Sequence, residues 1–203
     1  MTKIAKTLSF FPLLHLFFVL VSLYNFFAVS FIFGFILSFF SIYFLPILCF
    51  RFHNRFYPYR EGRFFLDRKE YVPWWGVHQF QLLFIALPAL ESILRLYPGF
   101  YSFWLRLWGS KIGKNVYWTP LVEILDRSNL EIGSNVIIGH KVCLLAHVIN
   151  SQKSGLILYV KNIKIGSNSL IGAGSRFGPG AVVEDGSTVP VLTDLKINET
   201  FQE

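Results

Sequence analysis

The sequence predicts a mainly β C-terminal half, a parallel β-helix of six-residue repeats, preceded by an α-helical membrane hairpin and interfacial helices. Three observations carry this reading: 44 consecutive residues without a charge near the N terminus, an apolar side chain at every sixth position beyond residue 110, and a basic excess confined to the first half. The expected organisation is two transmembrane helices in residues 1–50, a basic juxtamembrane segment with amphipathic helices in 51–109, the repeats in 110–190, and a C-terminal tail in 191–203.

With 53% hydrophobic residues and only 15% charged ones, the 203-residue chain is too apolar for an ordinary soluble domain, which directs attention to a membrane segment. The uncharged run Thr7–Phe50 would make a helix about 66 Å long, roughly twice the hydrocarbon thickness of a bilayer. Two spans therefore fit better than one, near Leu8–Phe27 and Ser30–Phe50, with a turn around Tyr24-Asn25 where the run is least apolar. The run is far too long for a cleavable signal peptide, and no Ala-x-Ala site ends it at the right distance.

Residues 112–203 carry eight basic and eight acidic side chains, so the net charge of +7 lies wholly beside the hydrophobic half. A nucleic-acid binder would place its basic stripe on the folded domain, whereas Lys and Arg flanking apolar helices mark a cytoplasmic membrane face. A hairpin puts Lys3 and Lys6 on the same side as Arg51, Arg55, Arg60 and Arg63. Both termini and the repeats are then expected in the cytoplasm, on an integral inner-membrane protein. Tyr71, Trp74 and Trp75 suit the headgroup level. Leu82–Leu90 is too short to span, and Phe100, Phe103, Trp104, Leu107 and Trp108 form a stripe of helical period. Residues 77–109 are thus expected either to lie on the membrane or to cap the domain that follows.

The repeat begins with Ile112, Trp118, Ile124 and Leu130 at six-residue spacing. After a two-residue slip the frame resumes at Ile132, Ile138 and Leu144, and after an excursion through 150–164 at Ile165, Ile171, Phe177, Val183 and Val189. Gly follows the key residue at 113, 133, 139, 166, 172 and 178, and a small or β-branched residue sits four places after it at Val116, Val136, Val142, Ser169, Ser175 and Ala181. Each hexad makes one short strand and one tight corner of a three-sided coil. Key residues point inward and stack one coil apart, so Ile132 should lie near Ile112, and the glycines are expected to ease the corner backbone. About three and a half such coils share a continuous core. An antiparallel meander would need period-two alternation with regular turn pairs, which is absent. Trp118 and the charged pair Asp126-Arg127 break the pattern, and coil one is expected to be a cap packed on the preceding helices. The tail should cover the exposed end of the last coil.

The segments Ile132-Gly-Ser-Asn-Val-Ile, Ile165-Gly-Ser-Asn-Ser-Leu and Ile171-Gly-Ala-Gly-Ser-Arg resemble the hexapeptide repeats of left-handed β-helix acyltransferases. That resemblance implies the left-handed sense, a homotrimer with sites in the grooves between prisms, and transfer of an acyl group to a hydroxyl or amine. The donor would be acyl-CoA or acyl carrier protein, used as a co-substrate, with no permanently bound cofactor. It also implies a histidine general base before a looped-out segment. Leu144-Leu-Ala-His147-Val-Ile, followed by Asn150-Ser-Gln-Lys-Ser-Gly, matches that position and makes His147 the leading candidate, with His140 second. Glu123, Asp126 or Glu131 would orient the imidazole. Asn150 and Ser151 are candidates for contacting the acceptor, and Lys153, Lys161 and Lys164 for the phosphates of the donor, against the alternative of plain solvated residues.

Other chemistries are disfavoured. Gly172-Ala-Gly174 with Gly178 is one residue too long for a dinucleotide fingerprint and lacks a surrounding strand–helix unit. His140 and His147 do not make a three-histidine zinc set, because His15, His53 and His78 all precede the repeats; no metal is expected. Cys49 and Cys143 form neither a disulfide framework nor a thiolate site. His15, inside the first span, is expected to face the second helix. The sequence thus points to an acyltransferase serving a lipid or lipid-linked acceptor in the bilayer, with no nucleic-acid partner. The alternative is a non-catalytic membrane-anchored scaffold that organises an oligomer. In a trimer, an enzyme should hold His147 in an open groove between subunits beside the 150–164 excursion, whereas a scaffold can bury it or leave it on a bare convex face.

Overall fold

The computed structural model describes residues 2–153 and 155–202; Met1, Ser154 and Glu203 lie outside the described residues. The chain divides into two units, Met1–Tyr59 with Asp67–Leu83, and Arg60–Leu66 with Phe84–Glu203.

The first unit contains α1 (Lys3–Leu8), α2 (Phe11–Ala28), α3 (Phe31–Tyr43), α4 (Leu45–Phe56) and most of α5 (Pro73–Ala86). From Lys3 to Ala28 the chain is one helix of 26 residues, long and apolar enough to cross a membrane, and α3 with α4 meets the same criteria jointly across a 41° bend. The reversal falls at Val29-Ser30 and not at Tyr24-Asn25. Asn25 stays helical because its Nδ2 donates to the Val21 carbonyl at 2.8 Å, while the Ser30 hydroxyl accepts the Phe33 N–H and caps α3. At Gly34 a Cβ would fall 2.2 Å from the Phe26 Cα, so this position admits no side chain. His15 is buried and faces the second helix: its Nε2 is 2.8 Å from the Ser41 carbonyl, and the Ser22 and Ser41 hydroxyls are 3.0 Å apart. The His15 imidazole and the Ser22 and Ser41 hydroxyls are thereby hydrogen-bonded within the protein. The aromatic cluster is likewise engaged. Tyr71 Oη is 2.6 Å from His53 Nε2, Trp75 Nε1 donates to Ser9 Oγ at 3.1 Å, and Trp74 stacks on His78.

The second unit holds β1 (Gly62–Phe65), α6 (Ala89–Arg95), α7 (Phe100–Leu107) and a three-sided prism of parallel strands. Its first face is formed by β2 (Lys111–Ile112), β5 (Leu130–Ile132), β10 (Ile163–Ile165), β13 (Val182–Val183) and β16 (Thr200–Phe201). The second face has β3 (Tyr117–Trp118), β6 (Ile137–Ile138), β11 (Leu170–Ile171) and β14 (Thr188–Val189), and the third β4 (Glu123–Ile124), β7 (Cys143–Leu144), β12 (Arg176–Phe177) and β15 (Asp194–Leu195). Key residues stack in register as the repeat requires, Ile112 on Ile132, Trp118 on Ile138 and Ile124 on Leu144. Each buried aliphatic stem stabilises the coil by about 1.5–3 kcal/mol relative to exposure.

Two expectations change. The prism is longer than three and a half coils, because the presumed tail supplies β15 and β16, with Leu195 stacked on Phe177 and Phe201 on Val183. Both keep the six-residue frame after Val189, but neither is followed by Gly, which hid them. The repeat glycines also serve a different purpose from the one expected. The positions of positive φ are elsewhere, at Asn115, Asn135, Asn168 and Asn198 among others, whereas at Gly113 a Cβ would meet the Gly133 backbone at 2.5 Å. Glycine is needed for the close passage of one coil over the next. Coil one is capped as expected. Tyr101, Trp104 and Trp108 of the α7 region are buried within this unit, and Trp118 Nε1 donates to Ser102 Oγ at 2.8 Å.

Candidate active site

Both breaks in the repeat frame fall at one corner of the prism. Ile124 and Leu144 are stacked neighbours, and the chain leaves the third face after each of them. In coil one, eight residues instead of six separate Ile124 from Ile132; the extra length forms a turn in which the Asn129 N–H donates to the Asp126 carbonyl at 3.1 Å. In coil two the excursion leaves directly above it. Its residues form no loop but an antiparallel hairpin, β8 (His147–Gln152) and β9 (Gly155–Val160), extended by β1 in the register Phe64 to Leu158. Gly155-Leu-Ile-Leu-Tyr-Val is rich in β-forming side chains, which explains the outcome.

These two insertions bring Asp126 and His147 together. His147 opens β8, and its Nδ1 lies 2.7 Å from Asp126 Oδ2. The Asp126 side chain is 3% exposed and also accepts the Ala146 N–H at 3.1 Å; the hairpin base is closed by the Lys161 N–H donating to the Ala146 carbonyl. A carboxylate can only accept, so Nδ1 carries the proton and the basic lone pair belongs to Nε2. The imidazole is 13% exposed. Of the three carboxylates considered for its orientation, Asp126 is the one in place. Glu123 lies on the third face beside Cys143, and Glu131 on the first face beside Lys111 at 3.2 Å. Burial pushes the Glu131 carboxyl up, but hydrogen bonds from Asn162 and Lys111 outweigh it and hold the group below its usual range. Burial, followed by the charge of Glu123, pushes the Cys143 thiol up to about 11, which removes it as a thiolate nucleophile near neutral pH.

The remaining candidates do not gather at this pair. His140 is exposed at another corner, between the second and third faces. Asn150, Ser151 and Lys153 are exposed along the outer part of the hairpin. Lys161 Nζ donates to Asn198 Oδ1 at 2.7 Å, and Lys164 Nζ is 3.9 Å from Glu131 Oε2. Lys164 also lines a groove of about 690 Å³ on the first face, shared with Arg106, Lys111, Glu131 and Asp185.

A parallel prism of six-residue repeats with one corner excursion places the chain in the hexapeptide-repeat class of folds. No family model matches it. Over 83 residues, 39% of this chain, it is 34% identical to the candidate acetyltransferase YvoF of Bacillus subtilis (strain 168), and it spans about half, 48%, of that relative's length. Among solved structures it is similar to a hexapeptide-repeat acetyltransferase of Vibrio cholerae, at 15% identity and TM-score 0.33 over 57% of this chain and 84% of the other. A maltose O-acetyltransferase of Clostridium difficile 630 gives 19% identity and TM-score 0.34 over 56% and 77%. A galactoside acetyltransferase in complex with coenzyme A gives 19% and 0.30 over 55% and 74%. Such scores lend these structures no weight beyond the repeat geometry already described.

Proposed function

We propose that the protein is a membrane-anchored acyltransferase that moves an acyl group from a thioester donor, a coenzyme A thioester or acyl carrier protein, to a hydroxyl or amine on a lipid or lipid-linked acceptor. The observation that carries this reading is the His147–Asp126 pair, formed only because two separate insertions coincide at one corner. The sequence likeness to YvoF supports the acyl-transfer chemistry. Asp126 holds the imidazole with Nδ1–H directed at itself, and Nε2 takes the proton of the acceptor as its oxygen or nitrogen attacks the thioester carbonyl. Collapse of the tetrahedral oxyanion breaks the carbon–sulfur bond, and the imidazolium returns the proton to the departing thiolate. Such a base contributes about 10²–10⁴-fold.

The apolar helix Lys3–Ala28 supports anchoring, and the basic residues flanking the hairpin support a cytoplasmic site, where thioester donors are made. Ile93, Leu96, Tyr97 and Phe103 are exposed on α6, α7 and their connection, the apolar surface that helices lying on a membrane would present. The outward side chains of the second face, Tyr117, Ile137 and Leu170, are exposed and in register, a column against which a second prism of a homotrimer would pack.

The test compares membrane lipids and glycolipids by mass spectrometry in cells carrying wild-type protein, His147→Ala at equal abundance, or a gene deletion. The expected result is loss of the same acylated species in both altered strains. An acylated species that disappears on deletion but persists with His147→Ala would remove His147 as the base, and no change on deletion would remove the acyltransferase reading.

A further inference from the structure

Asp126 is followed directly by Arg127, a buried guanidinium whose partner lies outside the repeats. Arg127 Nε donates to Glu91 Oε1 at 2.5 Å, and Glu91, on α6, is itself buried. The second oxygen of Glu91 accepts from Tyr101 and from Arg95 Nη2, the latter at 3.2 Å; the same Arg95 nitrogen donates to Tyr101 Oη at 3.1 Å and to the Val122 carbonyl at 2.7 Å. The main chain of the turn is fixed as well. Ser110 Oγ donates to the Arg127 carbonyl at 2.8 Å and accepts the Leu130 N–H at 3.0 Å.

We infer that the buried Glu91–Arg127 ion pair is a positioning device for the Asp126–His147 pair, so that α6 belongs functionally to the site. Two buried charges are an expensive way to fasten a helix to a prism, since apolar residues of similar volume often hold as well. What an ion pair adds is direction. The planar guanidinium fixes the 126–129 turn in one orientation, and that orientation aims the Asp126 carboxylate at Ala146 N–H and at His147 Nδ1. The two-residue slip in coil one then has a purpose, because it supplies the length for a turn with one side chain directed to α6 and the next to His147. Neither Glu91 nor Arg127 touches a reacting atom; both act through Asp126.

The inference rests on the proposed role of His147, but its test does not need the acceptor. Full-length protein labelled with ¹⁵N-histidine is placed in nanodiscs, and the His147 resonance is assigned by its loss in His147→Gln. Long-range nitrogen–proton spectra then report which ring nitrogen carries the proton. Wild-type protein should show the single Nδ1–H tautomer. Glu91→Gln would strand Arg127 and endanger folding, so the decisive variant is Glu91→Leu with Arg127→Met, which removes both charges at similar volume. Arg95 loses its carboxylate but keeps the Tyr101 hydroxyl and the Val122 carbonyl, so the variant should fold with a lowered melting temperature and lose the single tautomer, giving a mixture of Nδ1–H and Nε2–H forms. A folded double variant that retains the single Nδ1–H tautomer would overturn the positioning role. Failure of the lipid experiment alone would overturn the acyltransferase reading and leave this result standing.

Discussion

Asn115, Asn135 and Asn168 occupy one corner in successive coils with φ of 54°, 59° and 59°, and their side-chain amides bond in a ladder at 3.1 and 3.0 Å. Asparagine tolerates this left-handed conformation better than other residues with a Cβ, and the ladder adds a hydrogen bond per step. Two residues before Asn135, Gly133 has an ordinary φ but no room, since a Cβ would come within 2.5 Å of the Ser167 backbone nitrogen. Gly133→Ala should therefore destabilise the prism by about 1–3 kcal/mol through overpacking, while Asn135→Gly costs less because φ remains allowed; thermal unfolding in detergent compares them. At Cys143, a thiol raised from 9.0 to about 11 has a thiolate fraction lowered about 100-fold near pH 8. Alkylation of Cys143 in a Cys49→Ser background should be slower by at least that factor in folded than in unfolded protein. The rate should rise with pH up to the raised value; equal rates would contradict the burial.

At the scale of elements, the hairpin that carries His147 depends on a strand that local sequence does not announce. Gly62-Arg-Phe-Phe lies in a basic connecting segment and becomes β1 only by pairing with β9. A two-stranded hairpin is marginal in water, and a third strand makes it self-supporting. The Leu66 N–H donates to the Leu156 carbonyl at 2.9 Å, and the alternation of an antiparallel ladder puts Phe64 on the same bonded side. Phe64→Pro should break that pairing and increase amide hydrogen exchange across 147–160, while the stacked strands of the prism remain protected. Unchanged exchange in the hairpin would show that β1 does not support it.

For the whole molecule, the outer surfaces of the prism are unequal. The first face carries Lys111, Glu131 and Lys164 and the third Glu123, Arg176 and Asp194, whereas the second presents Tyr117, Ile137 and Leu170. Arg176 and Asp194 form an exposed bidentate pair at 2.8 and 2.6 Å that holds the Asp194 carboxyl below and the Arg176 guanidinium above their ordinary values. An apolar column beside two polar faces is the surface that the proposed trimer would use. Ile137→Asp should convert a trimer to monomers in detergent, measured by light scattering coupled to size-exclusion chromatography. A wild-type monomer, or an unaffected trimer, would exclude this contact.

The chain's local patterns determined the apolar hairpin and the repeating prism, because both are set by periodicity: charge-free length for one, an inward side chain every sixth residue for the other. His147 stands where the frame is interrupted, but its candidacy as a base comes from the resemblance to hexapeptide-repeat acyltransferases and not from periodicity. Only the tertiary structure decided its partner. Asp126, Glu123 and Glu131 are alike as carboxylates within nine residues of chain, and what separates them is the stacking of Ile124 on Leu144, which superimposes the slip at Asp126 on the excursion at His147. The link from Arg127 to Glu91 lies further beyond reach of the sequence, since it joins residues 36 apart, one of them on a helix outside the repeats. Periodicity is a local property of a chain, whereas the direction of a buried charge is set by everything packed around it.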